Sequence, residues 1–521
     1  MKFIFSLLCL CASIALSGQS YAKDWHQQYS PKDTNYGIGL HQAIQNNPAP
    51  AGAKTVIVAV IDDGVDINHP DLKGNIWVNP GEIPGNAVDD DHNGYIDDIH
   101  GWDYLGNLAE DIEYDNMELV RLLRDYQLRF ENKSNKDIPK SEKADYKTYK
   151  KLNEVYEDEL KQAKEDFEIL QIYNRLCNEL LSELDSSNIS LKDLREFEPK
   201  KVESKFIYAK IIEVCSKYNM TPKKFFDDVR KDYERANEKL NYHLNLDYDS
   251  RKKVGDNYSD AKTLGYGNQD VRGPEGNHGT HVAGIIAAVR GNGIGVDGIA
   301  PLVKIMALRV VPNGDERDKD VAHAIRYAAD NGAKIINMSF GKYYSYNSAI
   351  VKDAIRYAES KDVLMIHAAG NDNKNNDKTV HYPSPEYLKD SSCKTWIEVG
   401  ACDKDQQPAE FSNYGISGVN VFAPGVQIYS TVSNAKYDQY DGTSMAAPVV
   451  SGLAALIRAY YPHLTAIQVK QIIESSVLKP EKKVKKPGNK KKRKKTKYRK
   501  LCSSGGIVNA ENALKAAALV K

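Results

Sequence analysis

Apolar positions follow two rhythms along this chain. Residues 57–61, 303–311, 334–339 and 363–369 are short, nearly continuous runs rich in Val, Ile and Ala, closed by glycine, asparagine, proline or carboxylates. Runs of that length and composition predict buried strands. Between the second and third run, residues 320–331 space their apolar positions as a helix does, so the three together predict a β-α-β unit. Residues 449–457 are almost wholly apolar, follow small residues and a glycine, and predict a buried helix entered through a tight turn. Residues 464–475 predict a further amphipathic helix. The alternation makes the chain α/β, with a mostly parallel sheet flanked by helices.

The second rhythm occupies residues 110–261, rich in Lys, Glu, Asp, Leu and Tyr and poor in Gly and Pro. Leu160, Ala163, Phe167, Leu170, Asn174, Cys177, Leu181 and Leu184 keep a 3-4 spacing over four heptads. Ser190 with Asp193, and Thr221 before Pro222, mark helix starts. This stretch predicts a solvated, charged helical insertion. The sharper alternative makes it a lid, a folding aid or a partner-docking surface.

Charge and cysteine usage refine this picture. Net charge is zero, but residues 482–500 hold 13 Lys and Arg and no acid, leaving 58 basic against 71 acidic residues elsewhere. This Lys-rich loop, 479–502, predicts a mobile surface segment open to salt-dependent polyanion contact. Tyr498 is its one aromatic residue, which argues against a nucleic-acid surface. Seven cysteines include Cys9 and Cys11 near the start, and the other five are too scattered for a disulfide framework. Lys2, the apolar residues 3–16 and the small residues around Ala22 predict a secretory signal peptide over 1–22. The protein is then exported, to the periplasm, the cell surface or outside, with no transmembrane segment. About 40 residues separate Lys23 from Asp62, too few for a folding pro-domain.

Three strings carry candidate chemistry. The first strand run ends in Asp62-Asp63-Gly64, delivering an acid where parallel sheets place their chemistry. Gly276-Asn277-His278-Gly279-Thr280-His281 puts a histidine at a helix start, and Asp441-Gly442-Thr443-Ser444-Met445-Ala446-Ala447-Pro448 puts a serine at another. An exposed helix N-terminus favours negative charge beside such a serine. Asp62 rather than Asp63 is the candidate partner of His278, because neighbours on a strand face opposite ways. His281 reads as structural.

With these strings in that order, the chain resembles the subtilisin-like serine proteases, or subtilases. The resemblance implies a subtilisin-like α/β fold interrupted by the helical insertion between Asp62 and His278. It implies a serine-type endopeptidase acting on proteins or peptides, with Asp62, His278 and Ser444 catalytic and no cofactor for catalysis. Asn371, in Gly370-Asn371 after the fourth run, takes the role of oxyanion donor. Ser339, Phe340 and Gly341 take the role of the substrate-pairing segment. Domain bounds follow as 23–109 and 262–521 for the catalytic domain around 110–261. A non-catalytic binding protein on the same scaffold is the rival reading.

Two acidic loops carry expectations of their own. Asp89, Asp91, Asn93 and Asp97, with Gly94 between them, match EF-hand-like spacing and suggest a structural Ca²⁺, although His100 stands at the twelfth position. The alternative is an Asx-turn loop held by its own hydrogen bonds. Asp315, Glu316 and Asp318 read as a solvated loop, with attraction for basic substrate side chains as the alternative.

Overall fold

The computed structural model describes residues 21–33, 35–184, 188–384, 393–488 and 493–520. The predicted leader lies almost wholly outside these residues. The chain divides into two units, Leu119–Tyr248 on one hand and Tyr21–Glu118 with Asp249–Lys521 on the other.

The second unit is built on seven strands: β1 (Val56–Asp62), β2 (Gly101–Asp103), β3 (Val303–Arg309), β4 (Ile335–Met338), β5 (Leu364–Ala368), β6 (Trp396–Cys402) and β7 (Val421–Pro424). They form one parallel sheet in the order β2-β3-β1-β4-β5-β6-β7. Successive residues of β1 serve opposite faces, as strand geometry requires. Val58 and Val60 enter the core shared with helices Asn277–Ala287 and Thr443–Tyr460. Ala59 and Ile61 enter the core shared with helices Asp318–Asp330 and Ser348–Ser360. Both faces are covered, which is why the strand reads as a continuous apolar run. Strand order reverses around β1, so its C-terminal end opens at the switch point where such sheets bind ligands.

The smaller unit is helical. Lys143–Leu184 runs for 42 residues, with Val202–Tyr218 and Pro222–Glu238 beside it. Cys177, Leu180, Ile207, Ile211, Phe225 and Phe226 form its core. Ser190 accepts from the Asp193 N–H and Thr221 from the Lys224 N–H, capping two helices where the sequence marks them. This unit is narrower than the predicted 110–261. Asp115, Arg251 and Asp256 belong to the sheet unit, bonded to Arg317, Asp320 and Lys319 at 2.7 Å each.

Two loop expectations are corrected. Glu316 and Asp318 are buried rather than solvated, and Asp318 pairs with Lys342 at 2.8 Å. The Lys-rich stretch is anchored on both sides of residues 489–492, which lie outside the described set. Val484–Lys485 pairs antiparallel with Lys495–Thr496. Tyr498 is buried edge-on against Phe422, its hydroxyl donating to the Gln406 carbonyl at 2.8 Å. Apolar Val484 and Tyr498 supply the anchoring that a purely cationic run lacks. Cys177, Cys215, Cys393, Cys402 and Cys502 are buried free thiols. Among the described residues no helix is long and apolar enough to cross a membrane.

Candidate active site

The end of β1 and the start of helix Asn277–Ala287 meet through a glycine. A Cβ on Gly279 would lie 2.2 Å from the Gly64 carbonyl oxygen and 3.0 Å from the Asp62 Cβ. Only a residue without a side chain lets the helix come this close. The approach puts His278 Nδ1 2.6 Å from Asp62 Oδ1, and the Asp63 N–H donates to the same oxygen at 2.9 Å. Asp63 turns the other way and caps the helix, accepting from the N–H groups of His278 at 3.1 Å and Gly279 at 2.6 Å. The sequence reading gave Asp63 no such role.

Desolvation pulls the His278 pKa down, but the Asp62 carboxylate more than offsets it, and the imidazole is raised to about 9. Desolvation, then the Asp62 charge, pushes Asp63 up to about 6, against the two backbone bonds and the His278 charge. Buried Arg309 braces the strand ends from below, donating to Asp103 Oδ2 at 2.7 Å and to the Asp63 carbonyl at 3.0 Å. His281 is structural, as expected. Its Nε2 faces the Ile428 carbonyl at 3.0 Å, its ring stacks on Tyr440, and burial lowers it to about 3.

Ser444 opens helix Thr443–Tyr460, and Pro448 lies inside that helix. Proline has no N–H to return to the Ser444 carbonyl four residues back. The Ser339 hydroxyl takes that place at 3.0 Å, and the Ser444 hydroxyl donates to the Ser339 carbonyl at 2.9 Å. The structure thus joins Ser444 to the end of β4 rather than to His278.

Asn371 is oriented by Thr443, whose N–H and hydroxyl both donate to Asn371 Oδ1 at 2.9 Å. The Gly370 N–H in turn donates to the Thr443 hydroxyl at 3.1 Å. With its oxygen fixed, the amide directs its NH₂ elsewhere. A Cβ placed on Gly442 would lie 3.5 Å from the Ser444 nitrogen and 3.7 Å from Asn371 Nδ2, so both donors border one small space. Thr443 was missed as a functional residue; its place beside Ser444 was the available signal.

A cavity of about 380 Å³ is bordered by Asp62, His278, Ser339 and Phe340, with Glu113 and Glu275 at its margin. Gly341 lies instead against the His381 ring, where a Cβ would fall 2.4 Å from Cε1.

The acidic loop departs from the EF-hand-like expectation. Asp89 accepts from the N–H groups of Asn93 and Gly94, Asp97 from those of Gly85 and Ala87, and Asn93 Oδ1 from that of Tyr95. The carboxylates that do converge are Glu82, Asp91 and Asp98, with one oxygen of each within 4.8 Å of the others. Asp91 alone is shared with the predicted set. Burial raises Asp98 to about 6, while bonds from Tyr327, Asn93 and Asn79 hold it down. The loop's short-range Asx bonds compete with a common metal cage.

The sequence model of the subtilase family matches residues 53–500. The chain belongs to the subtilase family. Among its relatives are a thermophilic serine proteinase of Bacillus sp. strain AK1, 42% identical over 201 residues covering 38% of this chain and 46% of that protein. Subtilisin DY of Bacillus licheniformis is 36% identical over 230 residues, covering 43% of this chain and 80% of that protein. The chain spans about half the length of most of these relatives. A solved protease structure from Pseudoalteromonas arctica is 30% identical, covers 50% of this chain and 81% of that one, and superposes with a TM-score of 0.40.

Proposed function

We propose that this subtilase is an exported serine endopeptidase cleaving proteins or peptides through Asp62, His278 and Ser444. The observation that carries the reading is the 2.6 Å bond from His278 to buried Asp62, in a cavity also bordered by Ser339, whose carbonyl accepts from the Ser444 hydroxyl. His278 takes the Ser444 proton as the hydroxyl attacks the carbonyl carbon, then passes it to the leaving amine. Asp62 holds the imidazole tautomer and stabilises its transient charge. The tetrahedral oxygen receives bonds from Asn371 Nδ2 and the Ser444 N–H, which already share one space. An extended substrate pairs with residues 339–341 by main-chain hydrogen bonds. No cofactor enters the chemistry.

The leader pattern over 1–22 supports export to the periplasm, the cell surface or beyond. The helical unit, residues 119–248 within the predicted 110–261, serves as an inserted domain in a catalytic domain formed by the residues on either side of it. A structural Ca²⁺ at the acidic loop would use Asp91, the donor common to the predicted and the converging sets. Residues 482–500 give a salt-dependent contact for polyanions.

The bond from Ser444 to Ser339 favours a second reading, a binding protein on a retained protease scaffold. A serine-directed phosphonate separates the two. We expect stoichiometric labelling of Ser444, with labelling and proteolysis both abolished in Ser444→Ala, a loss of about 10⁶-fold in kcat, the size established for subtilisin. Proteolysis unchanged in Ser444→Ala rejects the enzyme reading.

A further inference from the structure

His367, His381 and Glu398 meet next to the segment that holds Ser339 and Phe340. All three are buried, and one nitrogen or oxygen of each lies within 4.8 Å of the other two. His367 and Glu398 are register partners on neighbouring strands β5 and β6, so their side chains leave the same face of the sheet. His381 reaches them from the loop that follows β5, its ring 5.4 Å from that of His367.

The hydrogen-bond geometry leaves a cation to be supplied. His367 Nε2 faces the Phe340 carbonyl oxygen at 2.8 Å, and Nδ1 faces both Glu398 oxygens at 3.0 Å. A carbonyl only accepts, so Nε2 carries a proton. In a neutral ring, Nδ1 then turns a lone pair toward a carboxylate. Either a second proton or a metal ion must lie between them.

His381 favours the metal. Its Nδ1 is buried with no hydrogen-bond partner, a nitrogen that neither donates nor accepts within the protein and that a bound ion would satisfy. A cavity of about 30 Å³ is bordered by His381, Glu398 and Asn376, and Asn376 Oδ1 is also buried without a partner. That space admits roughly one water. Two imidazoles, a carboxylate and a water make a four-donor set suited to a zinc-class ion. Outer partners are in place as well. The Trp396 indole donates to Glu398 Oε2 at 2.9 Å, and the Phe340 carbonyl holds the outer nitrogen of His367.

We propose that His367 Nδ1, His381 and Glu398 bind a divalent transition metal of the zinc class, with a water from the adjacent cavity as fourth ligand. Binding displaces one proton, from His367 to solvent, wherever the empty site holds an imidazolium. The bound ion would couple metal supply to the position of Phe340 through the ligand's own Nε2–H. The competing state is an imidazolium–carboxylate pair with a buried water on His381.

The test uses the full chain carrying His278→Ala, because Asp62, Asp63 and His278 also converge within 4.8 Å and would compete for metal. Metal-stripped protein is titrated with Co²⁺. One equivalent is expected, with the intense visible bands of four-coordinate Co²⁺ and displacement by Zn²⁺. His381→Asn and Glu398→Gln should each weaken binding by more than about 100-fold. X-ray absorption on the Zn²⁺-loaded parent adds a readout independent of variant folding, and two imidazole donors are expected. No binding in the parent, an oxygen-only shell, or unchanged binding in both variants overturns the proposal.

Discussion

The two units keep their charges in different places. In the sheet unit Arg309, Arg317, Arg251, Lys319 and Lys342 are buried and paired with acids far away in sequence, among them Asp103, Asp115, Asp320, Asp256 and Glu118. In the helical unit the pairs are exposed, and many are neighbours on one helix face: Arg175 with Glu179, Lys223 with Asp227, Lys224 with Asp228. The difference teaches what each unit depends on. Removing one member of a buried pair leaves an uncompensated charge out of reach of water. Removing one member of an exposed pair leaves a charge that water solvates.

Four measurements press on that contrast. Arg309→Met should lower unfolding free energy by about 3–5 kcal/mol, read by denaturant titration, because it strands Asp103 and frees the braces beneath the Asp62 end of β1. A loss under about 1 kcal/mol would erase the distinction between the units. Asn371→Ala, also in the sheet unit, should lower kcat by about 10²–10³ with KM little changed, the magnitude established for subtilisin's oxyanion amide. An equal effect from any substitution within 119–248 would show that catalysis is not confined to one unit.

The pH dependence is a subtler probe. His278 must be neutral to accept a proton, and its pKa is raised to about 9. Activity of the free enzyme should therefore climb with pH through an acid limb above the ordinary histidine value of about 6.5, and Asp62→Asn should move that limb downward. The same shift adds stability that is fully present below about pH 6.5 and lost as pH rises through 9. A limb below pH 6.5 contradicts the pairing. Smallest of all, Lys224→Met in the helical unit should change stability by no more than about 0.5 kcal/mol, with a melting curve indistinguishable from the parent's.

Legibility follows the same divide. The caps at Ser190 and Thr221 and the burial of Ala163, Leu170 and Cys177 along the long helix depend on residues three to seven apart. Pattern alone found them. The three site strings were legible because each is a strand end or helix start with its chemistry attached. The acidic loops were misread because Glu316 and Asp318 look solvated until Lys342 is brought to them.

The amino-acid order by itself set the local elements: a β-branched strand ending in Asp62, helices opening at His278 and Ser444, and charged helices in between. Folding alone decided that Asp63 caps the histidine helix, that Ser339 fills the place left by Pro448, and that Thr443 aims Asn371. Local preferences act through bonds within a turn or two of the chain. These contacts join groups from 72 to 216 positions apart, where only the packing of the whole sheet fixes the distance.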